Sequence, residues 1–511
     1  MKTIYITDDR SNAVRELAAL LAGKGFKVAV NPVSGEKTPE GCEGIKADLL
    51  NYGSLKAVLG GLGGLSGILH PAPPFIGGGI VDIGADLWEK AFMGGPMAAM
   101  NVTKAAGEIL GQGGALVFLG DLHAEKPTGG GLLHSISCAA TQMLCREASL
   151  DYGRRGISCH YIQRGVMAED IGRKNGRSNL YSAPEKQFPV GRLIEAGDLA
   201  ELTAFLFSGN AGVLNGADLR ADNGASMYYG NPLSDDEIKN IGFIPEQVVE
   251  FSHKYPGVTS PEGRVALITG GGKGVGAGIA RVFCKAGIRV CVGWNSSREL
   301  ALKTLDEIKS AGGEAFLFKA DVTDRAQLEA MAAETVRRYG GIDILVNNAA
   351  MQPNRFIHGY DEETLRRVWD INIGGYLRAL QVCLPYLTES EGGRVINVSS
   401  IHGKRPAVFD PGYAMTKAAI RLFTREAALE LAAGNITVNS IELGTCRIEG
   451  KTGGFAFPIR RPGETRENPV DPMGRVCDPE DAGYLALYIA SREAENLTGA
   501  GIRLDAGAML V

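Results

Sequence analysis

The sequence contains no CxxC pair: its nine cysteines, at 42, 138, 145, 159, 284, 291, 383, 446 and 477, are scattered, mostly among apolar helix- and strand-forming residues. Reduced, buried thiols in a cytoplasmic protein are the expectation. No basic block interleaved with aromatics occurs either, and 53 Lys and Arg face 58 Asp and Glu, a net charge of -5. That balance argues against nucleic acid as a partner. No apolar span reaches 18 residues; the weakly polar stretch Ile68 to Ile83 is broken by Pro71, Pro73, Pro74 and a glycine run, so no membrane crossing is expected. No basic-then-apolar segment precedes the strand-like Ile4 to Thr7, and secretion is not expected. Glycine is abundant, 70 of 511 residues, roughly twice the usual share, yet it has no three-residue period, which excludes collagen.

A chain of 511 residues exceeds what one hydrophobic core organises, and an internal repeat explains the excess. Tyr413-Ala-Met-Thr-Lys417-Ala-Ala-Ile-Arg-Leu-Phe-Thr-Arg-Glu-Ala-Ala matches His134-Ser-Ile-Ser-Cys138-Ala-Ala-Thr-Gln-Met-Leu-Cys-Arg-Glu-Ala-Ser at a constant offset of 413 − 134 = 279. Gly287-Ile-Arg-Val-Cys-Val repeats Gly25-Phe-Lys-Val-Ala-Val, and Thr498-Gly-Ala-Gly-Ile-Arg-Leu-Asp-Ala-Gly repeats Asn215-Gly-Ala-Asp-Leu-Arg-Ala-Asp-Asn-Gly. Residues 1–227 form one domain, 228–261 a Pro-rich linker with an amphipathic stretch from Asp235 to Ser252, and 262–511 a second domain. Short β-branched runs alternate with helical patterns in each. The fold class is therefore α/β, two doubly wound, dinucleotide-binding domains with parallel sheets in tandem, with ligands at the carboxyl ends of the strands.

In the second copy Thr269-Gly270-Gly-Gly272-Lys273-Gly274-Val275-Gly276 follows the first strand and opens a helix, where glycines let the backbone approach a pyrophosphate. Asp321 and Val322 after the third strand face the adenine position, and Asn348 and Ala349 after the fourth line the cofactor cleft. The acidic residue that would bind an unmodified adenosine ribose is missing from Gly293-Trp294-Asn295-Ser296-Ser297-Arg298. NADP is favoured over NAD, with Lys273, Asn295, Ser296 and Arg298 as donors; NAD is the alternative, and Arg298 has a plain solvated role open to it. Tyr413 and Lys417, four apart, share a helix face, where the ammonium would depress the phenol pKa so that Tyr413 moves a proton as hydride moves. Ser400 can hold the substrate oxygen, and Asn372 can kink its helix and bind a relay water.

These residues together resemble the short-chain dehydrogenase/reductase family, particularly its 3-oxoacyl thioester reductase and glucose dehydrogenase-like members, over nearly all of 263–511. The resemblance implies a Rossmann-like fold and an NADP- or NAD-dependent enzyme. It puts the glycine motif on Thr269, Gly270, Gly274 and Gly276, and the tetrad on Asn372, Ser400, Tyr413 and Lys417. Two departures stand out: Ala350 in place of a glycine, and Glu442-Leu443-Gly444 where Pro-Gly is usual beside the nicotinamide. The resemblance further implies a substrate lid over Thr445 to Val470 and a subunit pair built on the Ser- and Tyr-bearing helices. Duplication can form that pair within one chain, so that a homodimer makes a pseudo-tetramer.

The first copy reads Ile6-Thr7-Asp8-Asp9-Arg10-Ser11-Asn12-Ala13-Val14 where glycines are needed. His134 answers Tyr413, Cys138 answers Lys417, Asp121 answers Ser400, and Met93 or Gly94 answers Asn372. This copy is expected to be a degenerate, non-catalytic scaffold. Asp121 and His134 face each other there, with His70 and His123 nearby, as an acid/base pair, a metal cluster or a hydrogen-bonded remnant. No metal is expected, and zinc should leave the cleft empty. The expected partner is a small alcohol, ketone or acyl thioester; Arg447, Lys451, Arg460, Arg461 and Arg466 in the lid favour an anionic one. A cofactor-binding scaffold and a two-activity enzyme that also uses Asp121 and His134 are the alternatives.

Overall fold

In both halves, short runs such as Ile4-Tyr5-Ile6 and Val265-Ala-Leu-Ile are buried on both faces, the signature of strands covered by helices on either side. The computed structural model describes residues 1–127, 130–171, 193–209, 211–222, 262–407, 409–447, 477–495, 497–505 and 508–510. The expected linker, including Asp235 to Ser252, and the lid from residue 448 to 470 lie outside the described residues.

The first sheet contains β1 (Thr3–Ile6), β2 (Lys27–Val30), β3 (Cys42–Gly44), β4 (Leu65–Pro71), β5 (Ala115–Asp121), β6 (Ser158–Arg164) and β7 (Asp218–Ala221). The second contains β8 (Val265–Ile268), β9 (Arg289–Trp294), β10 (Ala315–Lys319), β11 (Ile344–Asn347), β12 (Arg394–Ser400), β13 (Thr437–Leu443) and β14 (Gly501–Leu504). The orders are identical in form, β3-β2-β1-β4-β5-β6-β7 and β10-β9-β8-β11-β12-β13-β14, with every pairing parallel. Each order reverses direction between its first and fourth strands, which opens a crevice at their carboxyl ends. No helix among the described residues is long and apolar enough to cross a membrane. All nine cysteines are free, seven of them buried.

The two copies meet through the helices Leu132–Gly153 and Pro411–Leu431, and their contacts obey a pseudo-twofold. Arg146 donates to the Lys404 carbonyl at 3.1 Å, and Arg425 donates to the Glu125 carbonyl at 2.6 Å, where 425 − 146 = 404 − 125 = 279. Lys104 donates to the Tyr360 carbonyl at 2.7 Å and Gln381 to the Ile83 carbonyl at 3.0 Å, where 381 − 104 = 360 − 83 = 277. Glu89 pairs with Arg366, and Phe92 packs on Trp369, each pair being equivalent positions of the two copies. Reciprocity of this kind defines an isologous interface. The expected pairing of the two copies within one chain is thus present.

Each copy also carries one π-helical turn, Met93–Met97 and Asp370–Gly374. Aligning these turns, 370 − 93 = 277, sets Gly95 opposite Asn372. The sequence reading of Met93 or Gly94 carries the offset of 279 back across the stretch between this turn and the next strand, which is two residues longer in the second copy, 394 − 370 = 24 against 115 − 93 = 22.

Candidate active site

The turn after β8 needs glycine for two separate reasons. Gly270 has φ +63°, and a Cβ there would lie 2.9 Å from the Ala349 Cα; a Cβ on Gly276 would lie 2.5 Å from Asn348 Nδ2 and 2.6 Å from the Gly270 carbonyl oxygen. Asn348 pins the turn, its amide donating to the carbonyls of Thr269 at 3.1 Å and Gly270 at 2.9 Å, while its backbone N–H donates to Thr269 Oγ1 at 3.0 Å. Gly272 lies against Ala301, and Gly274 with Val275 begins the helix Gly274–Lys285, so the loop and a helix N-terminus face the crevice together.

Lys273 Nζ donates to Ser297 Oγ at 2.8 Å, which brings the loop cation over the segment after β9 that also holds Ser296 and Arg298, the first residue of the next helix. Asn295 Nδ2 donates to Asp321 at 2.9 Å. Asp321 is held below the usual carboxylate range by bonds from Thr323 and Asn295, against its partial burial. Val322 is buried against Gly375, and Gly444, at the end of β13, lies against Asp505. Glu442, in the Glu442-Leu443-Gly444 segment where Pro-Gly is usual, is 1% exposed and bridged by Lys404 at 2.7 Å and Arg421 at 3.3 Å. Its charge is thereby compensated inside the structure.

Asn372, Ser400, Tyr413 and Lys417 converge. Ser400 ends β12, donates to the Leu443 carbonyl and accepts from the His402 N–H, each at 3.2 Å, beside the Tyr413 phenol. Lys417 Nζ lies 5.4 Å from the Tyr413 ring centre and donates to the Val398 carbonyl at 2.9 Å. Asn372 is fully buried in the π turn; it accepts from the Met351 N–H at 2.7 Å and donates to the Met351 carbonyl and to Thr416 Oγ1, each at 3.0 Å. Both of its amide hydrogens are therefore committed to protein. The electrostatics differ from the sequence expectation in one respect. Burial pushes the Tyr413 phenol up to about 12, with the Ser400 hydrogen bond opposing it, and burial pulls Lys417 down to about 7. Burial, which disfavours each charged form, outweighs the attraction between them.

Sequence reasoning missed Asp410. It caps the Pro411–Leu431 helix, accepting from the Tyr413 N–H at 3.3 Å, from the Asn354 N–H at 2.8 Å and from the Tyr360 hydroxyl. It thus ties the loop after β11 to the tyrosine helix. The Asp-Pro pair, N-cap followed by proline at N1, was the available signal.

In the first copy the corresponding turn is closed. Asp9 is fully buried and accepts from the N–H groups of Val33 at 2.8 Å and Ser34 at 2.7 Å, and from Arg15 at 2.8 Å. Val14 occupies the place of Gly276, since the strands align Ile6 with Ile268. Asp121, His123 and His134 do come together, with ligand-type atoms all within 4.8 Å. His70 is not among them: it bonds Thr7 Oγ1 at 2.8 Å and packs edge-on against Phe118.

A parallel sheet with a glycine turn at its switch point and a Ser, Tyr and Lys set beside it defines a nucleotide-dependent oxidoreductase. The family description "short chain dehydrogenase" matches residues 264–452, and "Enoyl-(Acyl carrier protein) reductase" matches residues 15–226. The chain is 34% identical over 259 residues to the 2,5-dichloro-2,5-cyclohexadiene-1,4-diol dehydrogenase LinX of Sphingobium indicum, covering 48% of this chain and 96% of that protein. It is 31% identical over 251 residues to the 3-oxoacyl-[acyl-carrier-protein] reductase FabG of Thermotoga maritima, covering 49% and 99%. A short-chain type dehydrogenase/reductase from Mycobacterium marinum aligns at 30% identity and TM-score 0.44, covering 49% of this chain and 96% of that one. The chain belongs to the short-chain dehydrogenase/reductase family, as a tandem pair of its domains. It is an NAD(P)-dependent oxidoreductase acting on carbonyl or alcohol substrates.

Proposed function

We propose that the second copy holds the one hydride-transfer site of the chain, that it uses NADP(H), and that it interconverts a secondary alcohol and a ketone. The observation that carries this reading is the contrast at one turn, where Gly276 leaves a cradle that a Cβ would fill and Val14 fills its counterpart. The nicotinamide, when bound, supplies or accepts the hydride. Lys273, above Ser297 and with no carboxylate in Asn295-Ser296-Ser297, suits a ribose phosphate. Tyr413, neutral at pH 7, gives its proton to the carbonyl oxygen in reduction and takes it back in oxidation. Ser400 orients that oxygen, Lys417 holds the cofactor ribose, and Asn372 fixes Met351 and Thr416 around the site. The relatives are a cyclic diol dehydrogenase and a 3-oxoacyl thioester reductase, and an anionic 3-oxoacyl thioester is the substrate class we favour. The first copy serves as a scaffold, and two chains assemble into a four-domain unit.

Oxidation of NADPH and NADH with 3-oxoacyl thioesters, keto acids and cyclic ketones tests the reading. Turnover should prefer NADPH and vanish in Tyr413→Phe with Lys417→Ala while the fold persists. Turnover surviving that double substitution would place the chemistry elsewhere.

A further inference from the structure

The cleft of the first copy lost its reacting groups in an unusual direction. At the constant offset of 279, Ser400, His402, Tyr413 and Lys417 of the second copy correspond to Asp121, His123, His134 and Cys138. The histidine is retained, and each of the other three positions carries a residue type that ligates zinc. His134 and Cys138 are one helical turn apart on Leu132–Gly153, Asp121 ends β5 and His123 lies in the turn that follows it.

We propose that this cleft is a zinc(II) site, with Asp121, His123 and His134 as ligands and with Cys138, whose Sγ approaches the group only at His134, completing the shell by turning its side chain toward the ion. Zinc bonds of about 2.0–2.3 Å in a tetrahedral shell separate ligand atoms by roughly 3.3–3.7 Å. His134 Nε2 stands 3.8 Å from Asp121 Oδ2 and 3.5 Å from Cys138 Sγ. His123 Nδ1 hydrogen-bonds the other Asp121 oxygen, a contact that opens when an ion replaces the shared proton. One carboxylate, one thiolate and two neutral imidazoles match the charge of a divalent cation, which suits a site where His134 is 5% exposed. Arg164 stands opposite Asp121 on β6. Phe75 packs on both imidazoles, with ring centres 5.9 and 5.2 Å away, and shields the cluster. The proposal departs from the sequence expectation of an empty cleft; of the residues grouped there, His70 is bonded to Thr7 instead.

The test is calorimetric titration of the chelator-treated full-length protein with zinc chloride alone, followed by cobalt(II) absorption. One saturable ion per chain is expected. His134→Ala and Asp121→Asn should each weaken it by more than the roughly 10–100-fold that loss of an outer-shell partner costs, and Cys138→Ser should remove the thiolate-to-cobalt band. No saturable uptake by the unsubstituted protein would overturn the proposal without reference to any variant. So would uptake unchanged in His134→Ala, or a thiolate band that survives Cys138→Ser.

Discussion

Glu147 reaches from the first copy into the second, accepting a hydrogen bond from the Ala407 N–H between Ser400 and Tyr413. It is 1% exposed, and burial pushes its carboxyl from 4.5 up to about 8, with Asp151 and Asp410 adding repulsion and the Ala407 bond opposing. A carboxyl with its folded pKa above its unfolded value stabilises the fold fully below the unfolded value, and that contribution disappears as pH rises through the folded one. The gap corresponds to about 5 kcal/mol at 1.36 kcal/mol per pH unit, spread over the window from 4.5 to 8. From pH 5.5 to 7.5 the folded chain holds about one extra proton at this position, and stability falls by about 3 kcal/mol. Glu147→Gln imitates the protonated acid, keeps an acceptor for Ala407 and removes the titration. Urea denaturation of both proteins at the two pH values isolates the effect, because other titrating groups, Lys417 included, cancel in the difference. The unsubstituted protein should lose about 3 kcal/mol relative to Glu147→Gln over this range. Parallel pH dependences would refute the reasoning, since they would mean that Glu147 is ionised at both values.

Three further outcomes are expected. Gly276→Val, which installs the first copy's residue, should abolish NADPH binding measured by fluorescence while costing about 1–3 kcal/mol of stability through overpacking. Asn348→Ala removes the two bonds that hold the glycine turn and should raise the cofactor Kd about tenfold or more, at about 1–3 kcal/mol for the carbonyls left unsatisfied. With the Tyr413 phenol at about 12, alcohol oxidation should accelerate from pH 7 to 10, whereas ketone reduction should be insensitive to pH near neutrality; an oxidation rate flat over that range would argue against Tyr413 as the base.

Legibility from sequence followed range. The glycine turn, the strand alternation and the Tyr413–Lys417 spacing are local patterns, and each lies where the pattern implies. The register of Gly95 against Asn372 was not local, because the stretch between the π turn and the next strand is two residues longer in the second copy and no matching pattern spans it. Asp410 was readable as a cap but not as the link to Tyr360 and Asn354, since those partners are 50 and 56 residues away. The Tyr413 pKa depended on burial, which a helix-face argument does not supply.

The helix Leu132–Gly153 presents two faces, one toward the first copy's own cleft and one toward the second copy. Its cleft-facing positions, His134 and Cys138, have left the Tyr and Lys pattern, whereas Arg146 and Glu147 match Arg425 and Glu426. Those retained residues face the partner copy: Arg146 holds the Lys404 carbonyl, Glu147 holds Ala407, and Glu426 accepts from Ser135. Ala139 and Met143 pack with Ala414, Ala418 and Leu422 in the same seam. A helix with 3.6 residues per turn separates these two faces cleanly. Change on the cleft face leaves the seam intact, while change on the seam would shift Lys404 and Ala407, which belong to the segment joining Ser400 to Tyr413. The first copy is therefore packed directly against the segment that carries Ser400 and Tyr413.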